Sequence, residues 1–271
     1  MNRLQLFEFE DFHWFPDLFR SPMTRLLAVL NEKMGLDEAV TILIENIVER
    51  TGLQVIVDLG SGSGGVMPVV HDKLNSDEGD AEIKFILTDL HPSKESIQSI
   101  NSISNESLSY YPQSVDATKL EAAPKGVKTM INSFHHMDAD SAKSILESAQ
   151  DSGDPILIFE MQEKKIPIII WLIFLPLGLL ITFMMALVLT LFSRPITITQ
   201  LIFTYLIPII PLCFAWDGQV SYARMYSMKD YDSFLDGLGG KDYIWKKGVG
   251  QKRNGKPIGT FLLGMPASID K

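Results

Sequence analysis

The stretch Val55-Ile56-Val57-Asp58-Leu59-Gly60-Ser61-Gly62-Ser63-Gly64-Gly65-Val66 decides how the chain is read. Its first residues are β-branched with no polar alternate, the composition of a strand covered on both faces in a parallel sheet. The run stops at an acid, crosses a glycine-rich turn and continues into Met67-Pro68-Val69-Val70. Glycine lets the backbone turn sharply and approach a ligand, and the following helix offers free N–H groups at its start. A turn of this kind binds a nucleotide or a nucleoside.

Two patterns overlap on it. Gly60, Gly62 and Gly65 fit the dinucleotide spacing G-x-G-x-x-G, while Asp58, Gly60, Gly62 and Gly64 fit D-x-G-x-G-x-G. In the second pattern the stretch resembles motif I of the class I, Rossmann-like S-adenosylmethionine (SAM) methyltransferases. A strand-end carboxylate facing the turn would attract the amino group of SAM and repel a pyrophosphate. Gly62 stands in the middle of Gly60-Ser61-Gly62-Ser63-Gly64, so the serine of a hydrolase elbow is missing.

Composition narrows the partners. A net charge of −9 over 271 residues argues against nucleic acid, whose phosphates demand clustered cations. One cysteine, Cys213, excludes an internal disulfide and suits a reducing compartment. The opening residues turn acidic at Glu8 before an apolar core of signal-peptide length develops.

Residues 1–50 read as an N-terminal helical cap. It holds the aromatic cluster Phe12, Trp14, Phe15 and Phe19, then a helix capped by Asp37 and carrying Val40, Leu43, Ile44 and Ile47 at 3–4 spacing. Residues 51–162 alternate strands and helices, which predicts a doubly wound sheet. Strand two is Ile83–Asp89, reached through the acidic loop 76–82. Strand three is expected around Gln113-Ser114-Val115, strand four at Val127–Ser133 and strand five at Pro155–Glu160. Asp138 or Asp140 caps the helix between strands four and five.

The resemblance implies roles in this core. Asp58, Gly60, Ser61, Gly62 and Gly64 would form the cofactor turn. Asp89 with Leu90 would hold the ribose, and Asp116 with Ala117 the adenine amino group, unless Asp116 only caps a turn. Asn132 and the segment Phe134-His135-His136-Met137 stand at the carboxyl end of strand four, facing the ligand crevice of an open α/β sheet. His135 and His136 are the candidate bases, since a neutral imidazole takes a proton near pH 7. In this family the helices before motif I help to shape the acceptor pocket, which brings in Trp14. No cluster has zinc-like spacing, so no metal is expected.

The chain then departs from the family. Residues 166–193 carry no charge, nor do residues 195–216, and only Arg194 divides the two runs. About 20 apolar residues in a helix cross the roughly 30 Å hydrocarbon layer. The 18 Leu, Ile, Val and Phe of residues 166–192 could supply roughly −5 to −10 kcal/mol of insertion free energy, as an upper bound. Pro208 and Pro211 interrupt the second run. The chain must return to complete the sheet, either as a helical hairpin turning at Ser193-Arg194-Pro195 or as a re-entrant loop. A greasy helical subdomain of a soluble protein is the alternative to this membrane insertion at 163–216. Lys164, Lys165 and Arg224 outnumber Arg194 and put the catalytic part in the cytoplasm.

Residues 217–271 hold the acceptor segment and the last strands. Asp217, Ser221, Arg224 and Tyr226 match a polar stretch that often contacts the acceptor in the family, though Asp217 and Arg224 could equally frame the membrane boundary. Strands six (Tyr243–Lys246) and seven (Gly259–Gly264) flank the tight-turn pair Asn254-Gly255. The fold class expected is therefore α/β. The resemblance implies a doubly wound seven-stranded sheet with strand seven antiparallel, here with N-terminal helices before it and a hydrophobic helical hairpin inserted between strands five and six. The expected activity is a SAM-dependent methyltransferase on a lipid bilayer, acting on a hydrophobic small molecule. An NAD-dependent membrane-associated oxidoreductase and a non-catalytic SAM-binding scaffold are the alternatives.

Overall fold

A computed structural model describes residues 3–12, 14–76, 82–103 and 106–269; most of the expected acidic loop at 76–82 lies outside them. In chain order the elements are α1 (Asp17–Met34), α2 (Leu36–Thr51), β1 (Val55–Leu59), α3 (Met67–Leu74), β2 (Lys84–Thr88), α4 (Lys94–Asn101), β3 (Leu108–Tyr110) and β4 (Val127–Ile131). There follow α5 (Ala139–Ser152), β5 (Ile156–Glu160), α6 (Ile168–Thr190), α7 (Ile198–Leu201) and α8 (Ile209–Arg224). The chain ends in α9 (Met228–Leu235), β6 (Tyr243–Gln251) and β7 (Pro257–Pro266). They form two compact units, one of residues 1–34 and 163–227, the other of residues 35–162 and 228–271.

The sheet unit is the doubly wound architecture expected. Its seven strands run in the order β3-β2-β1-β4-β5-β7-β6; β1 to β5 are mutually parallel, and β7 lies antiparallel between β5 and β6. Ile56 and Val57 of β1 and all of β5 are buried, as uninterrupted apolar strands require. Val40, Ile44 and Ile47 of α2 pack with Ile56, Val66 and Val70 into the main core. The β6–β7 hairpin turns at 252–256, with Gly255 at φ +77°, and both strands are longer than their apolar stretches suggested.

Two expectations are corrected. Strand three is Leu108–Tyr110, not Gln113–Val115: Leu108 and Tyr110 face the core, and Pro112, which lacks an N–H, stops the ladder. Asp37 does not cap α2. Gly35 holds that position in the left-handed region, and Asp37 sits buried in the first turn, ion-paired with Lys73 of α3. Asp138 does cap α5, accepting from the amide of Ser141 at 2.8 Å.

The other unit is helical. Phe15, Met23 and Leu26 of the N-terminal segment pack with Ala186 and Leu189 of α6 and with Ile210, Cys213 and Phe214 of α8. The helix α6 is the one single helix, among the described residues, long and apolar enough to cross a membrane; 17% of its most apolar window is buried. The second apolar run breaks after a π-helical turn at Ile202–Leu206, and its two parts meet at 74°. Pro208, at the break, has no N–H to continue the ladder.

Candidate cofactor and acceptor sites

The glycine turn at the end of β1 is built from below. Asp58 is buried. Its Oδ2 accepts from Ser61 Oγ at 2.6 Å, and its Oδ1 accepts from Thr129 Oγ1 of β4 at 2.7 Å. Burial pushes its carboxyl up to about 7 against these two donors, which favour the ionised form, and the Asp89 charge adds to the rise. Ser61 closes the knot: its amide donates to Thr88 O at 2.9 Å, and its hydroxyl oxygen accepts from Thr88 N at 3.2 Å. Both carboxylate oxygens of Asp58 are thus engaged by hydroxyls of the fold.

Over this base, Gly60, Gly62 and Gly64 adopt φ of +65°, +54° and +103°, which a side chain would strain. No atom lies within 4 Å of where a Cβ on Gly62 or Gly65 would stand, so the turn opens onto free space. Asp89, at the end of β2, faces it. Its Oδ2 accepts from Gly62 N at 3.0 Å, and its Oδ1 from His91 N at 2.8 Å. Tyr110 of β3 donates its hydroxyl to Gly62 O at 2.8 Å.

Leu90 is exposed, and its carbonyl accepts from Ser114 Oγ at 2.6 Å. Asp116 receives the Thr118 amide and hydroxyl at 3.0 and 2.7 Å, which hold it below the usual carboxylate range. Ala117, next to it, is half-buried.

At the end of β4, Asn132 is the sole non-glycine described with positive φ, +54°. Asparagine tolerates that region better than most residues. Its Oδ1 accepts from Met161 N at 2.7 Å, which fixes the chain beyond β5. His135 is buried and doubly bound to Glu160: its amide donates to Oε1 and its Nδ1 lies at Oε2, both at 2.9 Å. A carboxylate only accepts, so Nδ1 is the donor of this contact. The His136 ring lies 4.4 Å from that of His135 and is half-buried.

The acceptor-segment residues belong to the helical unit. Asp217 accepts the amides of Phe9 and Glu10 at 2.8 and 3.2 Å. Arg224 is buried, donates to Leu6 O at 2.7 Å and pairs with Glu8 and Asp11 at 3.2 and 2.6 Å. Ser221 Oγ donates to Glu8 at 3.2 Å, and the Arg3 guanidinium lies 4.4 Å from the centre of the buried Tyr226 ring. These four residues thus fasten an N-terminal strap, residues 3–12 with a 3₁₀ turn at Phe9–Asp11, to α8 and the residues just after it. Trp14 is 68% exposed and stacks on Phe12 at 5.2 Å.

Sequence reading missed Thr129, Tyr110, Glu160 and the strap acids Glu8 and Asp11. Glu160 had a signal, since it ends a buried strand with an acid as Asp58 and Asp89 do. Thr129 was visible only as a polar residue within an apolar strand.

No protein-family model matches this chain, and no curated protein does. Among solved structures it is similar to the plantazolicin methyltransferase BpumL in complex with SAH, at 11% identity over 92% of this chain and 96% of that one, TM-score 0.49. It is also similar to the citrinin polyketide synthase CMeT domain (13% identity, 83% and 51% covered, TM-score 0.47). A third likeness is to the mitomycin 7-O-methyltransferase MmcR (15%, 80% and 50%, 0.43). At these scores the likeness carries no argument about ligand or substrate.

Proposed function

We propose that the chain is a SAM-dependent methyltransferase held at the cytoplasmic face of a membrane, methylating a hydrophobic or membrane-resident small molecule. The observation that carries the reading is the sheet order β3-β2-β1-β4-β5-β7-β6 with β7 antiparallel, with the D-x-G-x-G-x-G turn at the end of β1. The usual dinucleotide-binding order is 3-2-1-4-5-6 with no reversed strand between five and six. That difference favours SAM over NAD for a turn whose glycine spacing suits either.

The residues present fit such a cofactor. Open space above Gly62 and Gly65 leaves room for close approach. Asp89 would bond the ribose hydroxyls and Asp116 the adenine amino group, with Leu90, Ala117 and Asn132 beside them. Asp58 acts as a positioning residue through Ser61 and Thr129. Bound SAM supplies a methyl group on a sulfonium, open to in-line attack.

The chain must align the acceptor, exclude water and take a proton where the acceptor carries one. His135, oriented by Glu160, is assigned the base, with His136 as its neighbour. Acceptor contacts are assigned to Trp14 and to the strap-bearing segment of Asp217, Ser221, Arg224 and Tyr226. The hydrophobic acceptor follows from the apolar run that leads straight into that segment. Cells with and without the gene, fed labelled methyl-methionine, should differ in at least one labelled species of the lipid extract; identical extracts would count against the substrate class.

A further inference from the structure

Membrane attachment leaves two arrangements, a crossing helix or one held in a single leaflet. We infer that α6 and the broken α7–α8 pair enter one leaflet only, so that the chain does not cross; this rests on the membrane reading above. The α6 helix is about 34 Å long at 1.5 Å per residue, which suffices to cross. Crossing would put its two ends on opposite sides.

Both ends are tethered. At the first, Ile166 N donates to Tyr222 Oη at 2.9 Å and Lys164 Nζ to Ala223 O at 3.0 Å. Tyr222 is six residues before Met228, where the sheet unit resumes, a covalent reach of about 20 Å. At the other, the Lys33 ammonium lies 4.1 Å from the centre of the Phe192 ring. Lys33 precedes Leu36, buried in the sheet unit's core, by three residues, a reach of about 11 Å. A charged, water-covered α/β unit cannot follow either tether through hydrocarbon.

Within the sheet unit the start of α2 and the end of β5 lie by the same β6–β7 hairpin. Arg253 N, in the β6–β7 hairpin, donates to Glu38 of α2 at 2.8 Å, and β7 starts three residues before Thr260, which pairs with Glu160 at the end of β5.

The helical unit is itself two-sided. The charged helix α1 packs on the second half of α6 through Met23 and Leu26, and Arg25 donates to Gln200 at 2.9 Å. A charged side chain at the bilayer centre costs about 2.5–3.5 kcal/mol, so a crossing α6 would draw unfavourable company with it. Ile169, Ile173, Leu177, Leu180, Met184 and Val188 are each more than half exposed, and their spacing of three and four makes one stripe along the helix. Lys33, Lys165 and Arg194 stand near the ends of that stripe, where cations meet anionic headgroups. An apolar stripe with basic ends fits a leaflet met edge-on, with the acyl chains against α6.

The test uses the full chain with Cys213→Ser and one new cysteine, Lys165→Cys or Arg194→Cys, in sealed membrane vesicles with the cytoplasmic face outward. A membrane-impermeant maleimide should label both positions equally before detergent is added. The same pair in the wild-type background, where Cys213 is buried, guards against a folding defect of the serine change. Protection of position 194 until detergent, in chains that remain membrane-bound, overturns the single-leaflet inference and leaves attachment standing. A chain found only in the soluble fraction, with the stripe covered by a second copy, overturns both.

Discussion

Asp58 is a buried acid whose two oxygens accept from Ser61 and Thr129. Asp58 and Asp89 both end strands beside the glycine turn, and the sequence treats them alike. Asp58 accepts from Thr129, 71 positions away, and no local pattern announces that pairing. The burial has a measurable consequence. Asp58 is raised from 3.8 to about 7 in the folded chain, so the folded state holds the proton more tightly than the unfolded one. Its protonation stabilises the fold fully below about pH 4, and that contribution is lost as pH rises through about 7. In urea unfolding, wild type should lose roughly 2–3 kcal/mol relative to Asp58→Asn between pH 5 and pH 8; a pH-independent difference would refute the assignment. Asp89→Ala removes the proposed ribose contact, and SAM should bind about tenfold to a hundredfold more weakly with the fold intact. For His135→Ala, acceptor turnover should fall by about 10²- to 10⁴-fold while SAM affinity is kept, as single-turnover and binding measurements would separate.

Elements were legible where apolar periodicity was strong. The strands β1, β2 and β5 announce themselves by runs of Val, Ile, Leu and Phe, β4 more weakly because Lys128 and Thr129 interrupt it, and α2 by its 3–4 spacing. The short β3 does not, because three residues with alternating burial give no periodic signal, and the extended chain after Pro112 reads just as well as a strand. The cap of α2 is obscured for a related reason: an aspartate near a helix start looks like a cap, but a glycine in the left-handed region fills that place and Asp37 pairs with Lys73. The length and hydropathy of α6 are legible in its residues, while the exposed stripe depends on its packing against α1 and α8. Ile173→Arg and Leu180→Arg place a cation in that stripe. Each should shift the chain from the vesicle fraction to the soluble fraction in flotation by about tenfold or more, while the same change at exposed Ala28 of α1 should not.

Across the whole molecule, the order of strands and the late hairpin follow from the alternation of elements, and the interruption after β5 follows from the loss of charge. The division into units does not. Composition groups α2 with the N-terminal helices and Asp217 to Tyr226 with the final strands. In the folded chain α2 packs on the sheet, and the strap of residues 3–12 binds α8 through Asp217 and Arg224. Those contacts join residues more than 200 positions apart, and nothing in the local sequence of either partner points to the other.

The sheet order and the glycine turn together predict which nucleoside the chain holds. Isothermal titration calorimetry of the full-length protein with SAM, with its demethylated product and with NAD addresses that directly. Saturable heat with the first two and none with NAD is the predicted result; saturable heat with NAD and none with either sulfur nucleoside would contradict it.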